Sequence, residues 1–172
     1  MIFARIIFLG LLLLYSIQFF TFGINQSVMN AFIHGANLIF HEAGHVIFMP
    51  FGEFMTILGG SLFQCLLPAI LVFVFLFQDE RSIIGAQFAL WWTGQNMTDV
   101  ALYISDASAR SLPLIGGMNE DAHDWGNLLT MLDILEYDHS LALIVHWTGI
   151  ILMILAFIWG IRSIVHDTIS EK

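Results

Sequence analysis

Apolar runs recur along the chain between short polar breaks, at 2–24, 28–50, 54–77, 83–105 and 140–164. Each is close to the ~20 residues that a helix needs to cross a hydrocarbon layer. In lipid the backbone must pair within its own segment, so runs of this length predict five transmembrane helices. The first run carries Arg5 near its start but no small-x-small cleavage pattern, which makes it a retained helix rather than a signal peptide. Met49-Pro50-Phe51-Gly52-Glu53 closes the second run, where proline's missing N–H and glycine's free φ favour a tight turn or a re-entrant loop. Gln78-Asp79-Glu80-Arg81-Ser82 is a short hydrophilic connection between the third and fourth runs.

The stretch 106–139 is the one extended polar part, broken by Pro113, Gly116 and Gly117 and holding seven acids against the single base Arg110. Within it, Asn119 followed by Glu120 and Asp121 reads as a cap with acids in the first turn. The helix it opens carries Trp125, Leu128, Leu129, Leu132 and Leu135 at helical spacing, as an interfacial helix or as a packed core helix. With five alternating helices, the N-terminus, the Pro50 turn and this loop share one side with Arg5 and Arg110. Arg81, Arg162 and Lys172 then lie on the other side, and two against three sets no orientation under the positive-inside rule.

Composition agrees with a membrane setting. Of 172 residues, 58 % are hydrophobic and 11 % charged, too little charge to solvate a globular surface of this size. A net charge of −9 with five Lys and Arg excludes nucleic-acid binding by phosphate neutralisation. Cys65 is the single cysteine, so neither an intrachain disulfide nor a Cys-rich zinc knuckle is available. The simplest organisation is one all-α, polytopic, multi-pass domain over 1–172, embedded in the lipid bilayer, with five transmembrane helices and an additional interfacial helix.

The informative string is His41-Glu42-Ala43-Gly44-His45. Residues i and i+4 of a helix share a face, so both imidazoles can bind one Zn²⁺. Glu42 then sits beside the metal as a general base, able to take a proton from water that the ion has acidified and pass it to a leaving amine. Ionisable groups inside an apolar run cost a few kcal/mol each if unpaired, which makes function their default reading. The alternative is a hydrogen-bonded polar knot between helices.

Zinc hydrolases usually take three protein ligands, so a third is needed beside His41 and His45. Depth selects Asp99. If the third run returns across the bilayer, the fourth travels with the second, and Asp99 lies two-thirds along the fourth run as the histidines do along theirs. Gln95, Asn96, Tyr103 and Asp106 flank Asp99 at i−4, i−3, i+4 and i+7 as a polar stripe suited to a cavity wall. Asp106 is the nearest rival, and Asp124 comes third because a helix cap explains it more cheaply. His34 and Asn37 share the face of His41 and can orient a ligand imidazole from behind, as can Asn96. His146, beside Trp147 in the last run, is expected to make an interhelical hydrogen bond. Gly59-Gly60-Ser61 lets helices approach closely.

These residues resemble the site-2 protease family of intramembrane zinc metalloproteases, in its short members. The resemblance rests on Phe40-His41-Glu42-Ala43-Gly44-His45, the Pro50-Phe51-Gly52 turn and Gly59-Gly60-Ser61-Leu62, and covers roughly 30–110. It implies that Glu42 is the catalytic base, that His41 and His45 bind zinc, and that an aspartate two spans later completes the site. The family's Asn-x-x-Pro…Leu-Asp-Gly segment is absent. Asn96-Met97-Thr98-Asp99 and Ser105-Asp106-Ala107 stand in its place, the latter similar to a Ser-Asp-Ala string of shorter relatives, so Asp99 and Asp106 both stay open.

The expected function is hydrolysis of peptide bonds in a membrane-embedded protein or peptide substrate through zinc-activated water. One alternative is a zinc-dependent lipid amide or ester hydrolase, in which the 120–136 helix gates acyl chains. The other is a non-enzymatic, zinc-stabilised accessory or assembly subunit of a membrane complex.

Overall fold

A computed structural model describes residues 2–22, 24, 28–113 and 122–170, and within these the chain is helical with no strand. The elements are α1 (Ile2–Phe22), α2 (Phe32–Phe48), a 3₁₀ turn (Met49–Phe51), α3 (Glu53–Phe77), α4 (Ile83–Ser105), α5 (Asp124–Met131), a second 3₁₀ turn (Leu135–Tyr137) and α6 (Asp138–Ser170). The Pro50 segment is a tight turn, with Gly52 at φ +93°, a conformation that disfavours a side chain. The cap expected at Asn119, Glu120 and Asp121 lies outside the described residues. The described helix α5 instead opens with the His123 ring accepting the Gly126 N–H at 3.0 Å. Leu129 of that helix packs with Val100, Ile104, Ala107 and Ala142, so α5 is docked into the bundle.

Three helices are long and apolar enough to cross a membrane, at Ile2–Phe20, Glu53–Phe77 and Leu135–Ser170. The other two expected runs differ for physical reasons. Helix α2 has 17 residues, short of a full crossing. Helix α4 has the length, but it is the central helix, and its buried set includes Gln87, Thr93, Gln95, Asn96, Thr98 and Asp99. Facing protein rather than lipid, it can carry polar groups that find partners inside the bundle.

Contacts fix the helix directions. Gly160 of α6 lies against Leu9 and Gln87, while Gly149 lies against Gly94 and Thr98, so α6 runs antiparallel to α4. Arg5 pairs with Asp167 and donates to Ser163 Oγ at 2.6 Å, joining the first turns of α1 to the last turns of α6. Helix α1 therefore runs parallel to α4, tied to it where Trp91 Nε1 donates to Ser16 Oγ at 2.7 Å. Helix α3 returns antiparallel to α4, with Phe75 beside Gly85 across the Gln78–Ser82 connection. Helix α2 lies across α4, with His34 at Asp99, Phe40 against Trp92 and His41 against Tyr103.

This departs from five alternating runs. The start of α1, the 78–82 connection and the end of α6 occupy one end of the bundle. The Pro50 turn, the 106–113 loop and α5 occupy the other, with α2 leading obliquely toward that end. The N-terminus, expected beside the Pro50 turn, is at the opposite end from it.

Two glycine pairs set the close approaches. A Cβ on Gly94 would fall 2.5 Å from the Gly149 carbonyl, and one on Gly149 would fall 2.4 Å from the Gly94 carbonyl. Backbone cannot yield cheaply there, so Gly149→Ala should destabilise the bundle by about 1–3 kcal/mol. Gly35→Ala, which meets nothing within 4 Å, should not. Thermal unfolding in detergent compares the two.

Candidate metal centre

The i and i+4 spacing on α2 puts the His41 and His45 rings side by side, with centroids 4.9 Å apart. Both sit where α2 and α3 touch backbone to backbone: a Cβ on Gly44 would fall 2.1 Å from the Gly59 carbonyl. One residue further along α3, a Cβ on Gly60 would lie 2.7 Å from His41 Nε2 and 2.7 Å from His45 Nε2. The missing side chain leaves a notch into which both nitrogens point.

The outward nitrogens meet Asp124, whose Oδ2 is 2.9 Å from His41 Nε2 and 3.3 Å from His45 Nε2. The inward nitrogens are committed elsewhere. His41 Nδ1 is 3.1 Å from Gln64 Oε1, and His45 Nδ1 is 2.8 Å from the Thr56 carbonyl. Both partners are carbonyl oxygens, so each Nδ1 donates, and a ring that is neutral then has its lone pair at Nε2. With neutral rings, two lone pairs and a carboxylate oxygen converge, an arrangement that a cation among them would compensate. Two protons would create adjacent imidazoliums that repel each other, whereas one divalent ion satisfies all three donors.

The donor atoms of His41, His45 and Asp124 all lie within 4.8 Å of one another. Zinc takes nitrogen and carboxylate oxygen at about 2.0–2.2 Å, which separates ligands on one tetrahedral ion by roughly 3.4 Å. The separations of 2.9 and 3.3 Å from Asp124 are near that, so these residues fit a zinc ion.

Asp99, expected as the third member, is not in this cluster. Because α2 lies across α4, Asp99 faces His34 and Asn37, one to two helical turns before the ligating pair. Its Oδ1 is 2.7 Å from His34 Nδ1, and its Oδ2 accepts from Asn37 Nδ2 at 2.8 Å and Gln64 Nε2 at 3.1 Å. His34 and Asn37 therefore support Asp99 rather than touching a ligand ring. Asn96 is not behind the ligands either; its Nδ2 donates to the Trp92 carbonyl of its own helix at 2.9 Å, and its Oδ1 is buried without a partner. The hydrogen bond expected of His146 is missing at Nδ1, which is buried with no partner.

Asp106, the nearest rival, also lies outside the cluster. It accepts from Ser111 Oγ at 2.5 Å, from the Leu112 N–H at 2.9 Å and from His123 Nε2 at 3.2 Å. Burial keeps His123 below its usual pKa despite Asp106, so the neutral ring donates from Nε2 while Nδ1 caps α5. Asp106 thereby holds the residue next to Asp124. Tyr103 Oη accepts the Asp124 N–H at 3.0 Å, and Trp125 Nε1 donates to Ser61 Oγ at 3.0 Å, so α5 is pinned to both α4 and α3. Gln64 and Thr56 carry no motif that connects them to the site, although Gln64 is a lone amide in an apolar run; Tyr103, in the polar stripe of α4, does line the cavity.

Glu42 is exposed and lines a cavity of about 370 Å³ together with His41, His45, Tyr103, Asp124 and the apolar Leu38. Set against known protein families, curated proteins and solved structures, the chain matches none of them.

Two outcomes follow from this geometry. Gly60→Ala fills the notch between the imidazoles and should abolish metal uptake, measured as metal content of purified protein, while helical circular dichroism is retained. Asp106 is held low in pKa because Ser111 and Leu112 hydrogen bonds outweigh its burial. Its contribution is therefore present above the ordinary carboxylate value of 3.8 and is lost as pH falls through the depressed folded value. Asp106→Asn should cost about 1–3 kcal/mol at neutral pH, and its unfolding temperature should approach that of the unsubstituted protein on acidification below that value.

Proposed function

We propose that the chain is a zinc-dependent hydrolase acting on peptide bonds of membrane-embedded substrates. The observation that carries this reading is the convergence of His41 Nε2, His45 Nε2 and Asp124 Oδ2 beside an exposed Glu42 on one cavity wall. Zinc bound by those three residues would supply a Lewis acid that polarises a carbonyl and lowers the pKa of water. Glu42 is the proton carrier: its carboxylate takes a proton from the attacking water as the C–O bond forms and gives it to the leaving nitrogen as the C–N bond breaks. Tyr103 and Trp125 act indirectly, by holding α5 so that Asp124 meets the two rings. Leu38 and Leu112 give the cavity an apolar side on which a lipid-borne segment can rest. The resemblance of His41-Glu42-Ala43-Gly44-His45 and its neighbours to site-2 proteases supports the same reaction class.

In the bilayer we read four traverses rather than five: α1 with the oblique α2, then α3, α4 and α6. Arg5, Arg81 and Arg162 gather at the end away from the cavity, with Arg110 at the cavity end. By the positive-inside rule the three-arginine end is cytoplasmic and the cavity opens toward the other face. Single cysteines placed at residues 79 and 111 in a Cys65→Ala background should react with a membrane-impermeant thiol reagent from opposite sides of sealed vesicles. Labelling of both from one side removes this topology.

For the activity, Glu42→Gln should keep zinc and lose about 10²–10⁴-fold in hydrolysis of a membrane peptide substrate. Equal turnover by both proteins would count against peptide hydrolysis at this site. A stoichiometric complex whose activity ignores Glu42 would favour an accessory role instead.

A further inference from the structure

We infer that Asp99 is a positioning residue: acting through Gln64, it fixes the His41 tautomer that leaves Nε2 free for a cation. This rests on the metal reading above. An amide side chain can present oxygen or nitrogen to a neighbour, and the choice made by Gln64 decides what His41 can do. If Gln64 turned its Nε2 to His41, Nδ1 would have to accept. The ring proton would then sit on Nε2, pointing at Asp124, and the lone pair needed by a metal would be gone.

The surrounding groups permit one arrangement. Asp99 is 5 % exposed and its carboxyl oxygens meet three nitrogens, so Gln64 turns Nε2 toward it and Oε1 toward His41. The other partner on Oδ2 is equally fixed. Trp92 Nε1 can only donate, and it donates to Asn37 Oδ1 at 2.9 Å, which turns Asn37 Nδ2 toward Asp99 and toward Gln95 Oε1. His34 Nδ1 completes the set at Oδ1. A donor-only indole and an acceptor-only carboxylate thus orient every amide between them, and the last member of the chain is a ligand ring. This explains a carboxylate inside a helix bundle apart from the two rings: three nitrogens compensate it, and its acceptance from Gln64 orients that amide for His41.

The relay makes a chemical distinction that a packing role does not. Asp99→Asn can keep it, because asparagine can offer Oδ1 to Asn37 and Gln64 and Nδ2 to His34, whose ring takes the other tautomer. Asp99→Leu and Gln64→Leu cannot. The test uses the full chain in detergent with ¹⁵N-histidine, assigned through His41→Gln, and reads two quantities. The first is the protonation pattern of His41 in metal-free protein, by ¹⁵N chemical shifts. The second is Zn²⁺ affinity, by competition with a chelator. Unsubstituted protein and Asp99→Asn should both show the proton on Nδ1 and bind Zn²⁺ comparably. Gln64→Leu and Asp99→Leu should lose the single-tautomer pattern and bind about 10–100-fold more weakly.

Gln64→Leu with an unchanged His41 pattern and unchanged affinity overturns the inference. So does Asp99→Asn that loses zinc as completely as Asp124→Ala, which would make Asp99 a ligand. If a shared loss of fold were the cause, Asp99→Asn would show it in its thermal unfolding. Unsubstituted protein that has the Nδ1–H pattern but takes up no zinc removes the metal reading while leaving the relay in place, so the two failures are distinct.

Discussion

His41 Nε2, His45 Nε2 and Asp124 Oδ2 face each other across roughly hydrogen-bond distance, and the buried polar groups around them hold the three side chains in place. Helices α2 and α3 meet there in glycine contacts that leave no room for a side chain between their backbones. The Nδ1 of each ring meets an oxygen, from Gln64 for His41 and from the Thr56 carbonyl for His45, while both Nε2 atoms turn to Asp124.

Around this centre lie two further carboxylates that never reach it. Asp99 gathers His34, Asn37 and Gln64 and so controls the back of His41. Asp106 gathers Ser111, Leu112 and His123 and so controls the helix that carries Asp124. One reaches the histidine pair from the membrane interior and the other reaches Asp124 from the polar loop. Charged groups are costly in such surroundings, and each is retained because several donors compensate it.

The fold distributes these duties by exposure. Helices α1, α3 and α6 turn apolar faces outward and are long enough to span, while α4, enclosed by its neighbours, carries the amides and the carboxylate of the relay. Helix α2 lies across α4, which brings its first turns to Asp99 and its later turns to Asp124. The same crossing leaves Glu42 open to the cavity while His41 is buried. Sorting of three arginines to the far end follows from α1 and α6 running antiparallel, a property of the packed bundle rather than of any single run.

Local spacing alone determined what depends on one helix or one turn. The placement of His41, Glu42 and His45 within a turn of each other, the break at Pro50 and Gly52, the all-helical apolar character and the close-packing Gly59-Gly60 pair were all legible, because 3.6 residues per turn and backbone sterics act within a few residues. What needed three dimensions was the partner of the two histidines. Counting depth along parallel spans chose Asp99, but α2 is oblique rather than parallel, so level along the chain was not level in space. Asp124 had every mark of a surface cap until α5 was seen docked between α3 and α4. Its distance from His41 in sequence is 83 residues, and no periodicity connects residues so far apart; only the packing of α2 and α4, with α5 docked beside them, brings that carboxylate to the two rings.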